Sequence, residues 1–117
     1  MFKVLVVEDN VLIRLTIVDA LREAGFEVLE AGTAEDAINM MNEDTIHLLF
    51  TDIQLPGKLT GIDVAHAVTK RFPDAGIIVV SGRLSPKDIA LPSGAEFFAK
   101  PYSSDTIVAR LNVMIQR

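Results

Sequence analysis

Apolar residues along the chain fall into two alternating patterns. The first is a short apolar run, unbroken at Val4 to Val7, as expected of a strand buried on both faces, and seen again at Ile77 to Val80; Ile46 to Thr51 is the third strand. Glu27 to Ala31 and Ala95 to Ala99 read as two shorter strands. The second pattern is helical. Val11, Leu15, Val18 and Leu21 recur at helical spacing between Asn10, a candidate cap, and Gly25, a natural stop. Another helix is expected from about Ala34 to Met41, with Thr33 and Asp36 in a capping-box relation. After the turn-rich stretch Leu55-Pro56-Gly57-Lys58-Leu59-Thr60-Gly61, a third helix faces Ile62, Ala65, Val68 and Phe72 one way and breaks at Pro73-Asp74-Ala75-Gly76. The last helix, capped by Ser103-Ser104-Asp105, turns Ile107, Leu111 and Met114 or Ile115 inward.

Strand and helix thus alternate, which implies an α/β fold with a parallel sheet covered on both faces. Right-handed crossovers leave few topologies, and a flavodoxin-like (βα)5 sandwich with strand order 2-1-3-4-5 is the expected one. The fourth connection is the exception. Pro86 and Pro92 bracket only Lys87 to Leu91, room for about one helical turn, so a short or irregular fourth helix is expected.

Composition narrows the function. At 117 residues the chain suits one domain, 1–117, with no output domain in this sequence. Its net charge of −5 and scattered basic residues argue against direct nucleic-acid binding. There is no cysteine, which excludes thiolate metal sites and disulfides and fits a reducing cytoplasm. No signal-like N-terminus is seen, and no apolar stretch approaches the roughly 20 residues needed to cross a bilayer. A cytoplasmic location away from the membrane is expected.

Two of the predicted strands end in acid. The first runs into Glu8-Asp9 and the third into Asp52. In neighbouring parallel strands these ends lie side by side. Two carboxylates about 4 Å apart repel by roughly 4 kcal/mol at an effective dielectric near 20, so such a cluster needs a cation or a proton. Its oxygen donors suit a hard divalent ion, Mg2+ with Mn2+ as an alternative. The fourth strand ends in Ser81-Gly82 and the fifth in Lys100. A hydroxyl and an ammonium suit phosphoryl oxygens, and Asp52 could then act as a carboxylate nucleophile.

These residues resemble the receiver domain of two-component response regulators over essentially the whole chain. The resemblance is carried by Glu8-Asp9, Asp52, Ser81-Gly82 and Phe97-Phe98-Ala99-Lys100-Pro101, each after a strand. Leu55-Pro56-Gly57 and Gly61-Ile62-Asp63 add to it. It implies that Asp52 accepts a phosphoryl group from a sensor histidine kinase or histidine phosphotransfer protein, switching a surface that binds a downstream protein target. It also implies Mg2+ held by Asp9, Asp52 and the backbone carbonyl of Gln54, with Glu8 reaching it through water. Ser81 would swing toward the phosphoryl group, Lys100 would pair with it, and Phe97 would be the aromatic switch residue. Gln54 and Arg83 fall at positions that tune the phosphorylated lifetime. Such a domain is no enzyme beyond self-catalysed phosphoryl transfer and slow autodephosphorylation. Two departures stand out: only nineteen positions separate Ser81 from Lys100, and the switch residue is Phe rather than Tyr.

Two other readings fit the same residues. One is a receiver-like interaction module that is never phosphorylated; the other is a metal-dependent phosphatase or nuclease site. The second would want another carboxylate two residues after Asp52, where this chain has Gln54. His47 and His66 lack partners at ligand spacing, Met40-Met41 reads as core, Lys70-Arg71 as a solvated helix end and Tyr102 as a surface residue.

Overall fold

The structure, a computed structural model, describes residues 1–116. Five strands, β1 (Lys3–Val7), β2 (Glu27–Ala31), β3 (Leu48–Asp52), β4 (Gly76–Ser81) and β5 (Glu96–Ala99), form one parallel sheet in the order 2-1-3-4-5. Four helices cover it: α1 (Val11–Glu23), α2 (Ala34–Met40), α3 (Gly61–Arg71) and α4 (Ser104–Ile115). Alternate strand residues feed two cores. Leu5, Val7, Leu49, Ile77 and Val79 pack with Ala34 and Ala37 of α2 and with Val64, Ala65 and Val68 of α3. Val4, Val6, Phe50, Ile78 and Val80 pack with Ile17, Val18 and Leu21 of α1 and with Ile107 and Leu111 of α4. Burial on both faces explains why these strands are unbroken apolar runs.

Register sets the site. Val7 lies opposite Thr51, Asp52 opposite Val80, and Ser81 opposite Ala99. The chain therefore leaves the sheet at one edge with Glu8, Asp9, Asp52, Ser81 and Lys100 in succession. That edge is the carboxyl end, where open α/β sheets bind ligands.

The helix ends follow their caps. Asn10 Oδ1 accepts from the Ile13 amide at 3.0 Å, and Thr33 Oγ1 from the Asp36 amide at 3.1 Å. Thr60 and Asp63 make a full capping box at the start of α3. Gly25 ends α1 with φ of 95°, a conformation that glycine adopts without the Cβ penalty. Gly61 is glycine for space: a Cβ there would run into the carbonyl oxygen of Asp52.

Burial is uneven along α1, and the fourth connection is short, as its prolines imply. Of the apolar residues spaced along α1, Val18 and Leu21 are buried with Ile17, whereas Val11 and Leu15 are exposed, at 55% and 44%. The core meets only the later turns of α1. Between β4 and β5 the expected short helix is a single 3-10 turn, Pro86–Asp88. Its start is tied by Ser81 Oγ, which accepts from the Arg83 and Leu84 amides at 3.1 and 3.0 Å. Its far end is tied by His66 Nε2, 2.7 Å from the Ala90 carbonyl oxygen. Half-buried Leu84, Ile89 and Leu91 cover that flank of the core in place of a helix.

Candidate functional site

Glu8, Asp9 and Asp52 each offer a carboxylate oxygen within 4.8 Å of the others. Glu8 and Asp52 are buried, whereas Asp9 is exposed. Lys100 reaches into the cluster from the end of β5, with Nζ 2.8 Å from Asp52 Oδ2 and 3.2 Å from Glu8 Oε1. Its own side chain is a quarter exposed, so the pairs lie at the mouth of the pocket.

One ammonium faces three carboxylates, and the electrostatics reflect that excess. Burial raises the pKa of Glu8, and the Asp52 charge raises it further. The Asn10 amide, 3.0 Å from Glu8 Oε2, and the Lys100 charge pull the other way without cancelling the rise. For Lys100, burial favours the neutral amine, but hydrogen bonds and charge from Asp52 and Glu8 outweigh it and the pKa is raised. The lysine is thus held as a cation. An all-oxygen donor set with net negative charge also fits a hard divalent cation, and its three carboxylates suit Mg2+ better than a softer metal.

Ser81 sits beside this cluster with its hydroxyl committed. Besides accepting from two backbone amides, it donates to Gln54 Oε1 at 3.0 Å. Gln54 is anchored in turn, its amide 3.3 Å from Asp52 Oδ1. The Asp52 carbonyl accepts from Thr51 Oγ1 at 2.8 Å. Phe97 and Phe98 point to opposite faces of β5. Phe97 packs with the α2–α3 core and Phe98 with the α1–α4 core, and both are half-buried. The Arg83 side chain is exposed.

The structure corrects one residue reading. Tyr102 is not a surface residue but is half-buried, its ring edge-on to Phe50 at 5.3 Å. Burial, with the Glu8 charge, pushes its hydroxyl up to about 12. Arg14 and Glu30 were not expected at the site at all. Arg14 Nη1 donates to the Glu8 carbonyl at 2.7 Å while its Nε donates to Glu30 at 3.2 Å. His47 is structural, its Nδ1 accepting from the Lys3 amide at 2.9 Å.

This constellation has relatives. The family model for the response regulator receiver domain matches residues 4–112. An uncharacterized transcriptional regulatory protein of Bacillus subtilis, YrkP, is 30% identical over 99% of this chain and 50% of its own. The chain spans about half the length of that relative. Among solved structures, a response regulator receiver domain protein from Clostridium thermocellum is 28% identical with a TM-score of 0.88, covering 100% of this chain and 96% of that one. The receiver domain of the hybrid histidine kinase CckA is 29% identical with a TM-score of 0.82, covering 97% and 99%. With its strand order, its acidic strand ends and the match across nearly its whole length, the chain belongs to the response regulator receiver domain family of two-component signalling.

Proposed function

We propose that this receiver is a phosphorylation switch in which Asp52 is the phosphoacceptor. Receiver domains bind Mg2+ at an acidic pocket and partner with histidine kinases or phosphotransfer proteins. The observation that carries the reading is Lys100 paired to Asp52 at a three-carboxylate pocket. An anionic phosphodonor would be repelled by the carboxylates alone.

Asp9, Asp52 and the backbone carbonyl of Gln54 would hold Mg2+, with Glu8 acting through water. Bound there, the ion offsets the charge of the incoming phosphoryl oxygens. A carboxylate oxygen of Asp52 attacks phosphorus as the P–N bond of a phosphohistidine breaks. The electron pair stays on the imidazole nitrogen, which takes up a proton, and an aspartyl phosphate remains. Lys100 moves its pairing from the carboxylate to a phosphoryl oxygen. Ser81 leaves Gln54 and the Arg83 and Leu84 amides to donate to another. Phe97 then follows inward and resettles the β4–β5 connection. Gln54 and Arg83 set how long that state lasts.

A protein donor is supported by the surface beside the pocket. Val11, Leu12 and Leu15 leave an apolar patch on α1. Next to it a groove of about 420 Å³ is lined by Ile13, Thr16, Lys100, Pro101, Tyr102 and Ser104. Borohydride reduction of the phosphorylated chain tests the acceptor, since an aspartyl phosphate is reduced to homoserine. Peptide mass should place the homoserine at position 52; homoserine at position 9, or hydroxynorvaline from a glutamyl phosphate at position 8, would refute the assignment.

A further inference from the structure

We propose that Arg14 is a positioning residue for the cation site, holding the Glu8–Asp9 turn through the Glu8 carbonyl and held itself by Glu30. The inference rests on the acidic pocket being a Mg2+ site. Asp9, the exposed member of that pocket, sits on a turn that starts where β1 ends. Its carboxylate is only as well placed as the Glu8–Asp9 peptide. Glu8, just before that peptide, is fixed by its own amide, which donates to the Ala31 carbonyl at 3.0 Å. The Glu8 carbonyl accepts from Arg14 Nη1 at 2.7 Å.

The guanidinium is well built for this task. It lies one helical turn beyond the α1 cap, with its amide bonded to the Asn10 carbonyl at 2.9 Å. Its side chain is 19% exposed. Nε donates to Glu30 Oε1 at 3.2 Å, and the other oxygen of Glu30 is 3.5 Å from Arg22 Nη2. Gly32 lies behind the head group, a Cβ there meeting Nη1 at 3.4 Å, an ordinary contact. One planar fork therefore joins the acidic turn to the end of β2, a geometry a lysine ammonium does not reproduce. Partners that orient ligands in this way commonly change metal affinity tenfold or more when removed.

The sign of the effect separates positioning from plain electrostatics. Deleting a cation near a cation site tightens Mg2+ binding if charge alone matters, and weakens it if Arg14 positions the turn. The experiment titrates Mg2+ into the full chain, read by fluorescence of Tyr102, the single tyrosine in a chain without tryptophan, and by calorimetry. Arg14→Met should weaken Mg2+ binding about tenfold, with circular dichroism like the parent's. Arg14→Lys, which keeps the charge but not the fork, should shift the same way by less, and it decides the matter if Arg14→Met does not fold. Unchanged or tighter binding in the folded variants would overturn the proposal, even with a lower melting temperature. A parent that binds no Mg2+ would instead remove the reading of the site beneath it.

Discussion

At the scale of single residues the pocket is a balance between an excess of carboxylate charge and one fixed ammonium. Asp52→Asn removes one of the charges that raise the Glu8 pKa and leaves Lys100 paired to Glu8. The metal-free variant should melt no lower than the parent, and a clear drop would mean that the carboxylates do not strain the apo fold. Glu8 carries a pH signature. Because its folded pKa lies above the usual value near 4.5, the folded state holds the proton more tightly. Its contribution therefore falls as pH rises from that value through the raised one. Glu8→Gln should gain on the parent in melting temperature across that window, and a difference independent of pH would refute this. Tyr102 and Lys100 have raised values in the alkaline range, so their contributions are lost as pH climbs above about 10. With one tyrosine in the chain, tyrosinate absorbance reads Tyr102 alone and should titrate near 12 in the folded protein; a midpoint near 10 would place the ring in solvent. Gly61→Ala should destabilise by ~1–3 kcal/mol, since the added methyl meets the Asp52 carbonyl. These acidic and basic residues were legible because each ends an apolar run. Arg14, Glu30 and Tyr102 were not. Arg14 and Glu30 are sixteen positions apart and meet only when α1 crosses back over β2, and Tyr102 turns inward only because the chain after β5 returns to Phe50.

At the scale of elements, the strands were the most readable because double-sided burial leaves no polar alternation to confuse them. Helix α1 was legible from its period, but the exposure of its first turns was not. Periodicity reports which residues share a face, whereas the extent of the core decides how many turns are buried. The fourth connection was legible through its prolines, but its fastenings were not: Ser81, Gln54 and His66 act across the fold. Those fastenings make a prediction. Ser81→Ala strips the Arg83 and Leu84 amides of their acceptor, so hydrogen exchange there should speed up markedly while β4 stays protected. Equal protection in both proteins would mean that the serine does not hold the connection. Gln54→Leu removes only the outward partner of Ser81, and should hasten phosphorylation by a small donor by making the hydroxyl freer to turn.

For the whole molecule, the sheet gathers side chains from four strand ends into one pocket and leaves the apolar start of α1 beside it. Among the described residues no helix is long and apolar enough to cross a membrane. Ligand that binds only the folded state stabilises it by mass action, so Mg2+ should raise the melting temperature of the parent and have little effect on Asp52→Asn. The most direct test of the switch is intact mass after incubation with acetyl phosphate, with and without Mg2+, for the parent and for Asp52→Ala. A gain of one labile phosphoryl group that needs both the metal and Asp52 is predicted. A gain that persists in Asp52→Ala, or no gain in the parent with Mg2+ present, would contradict Asp52 as the self-catalysed acceptor.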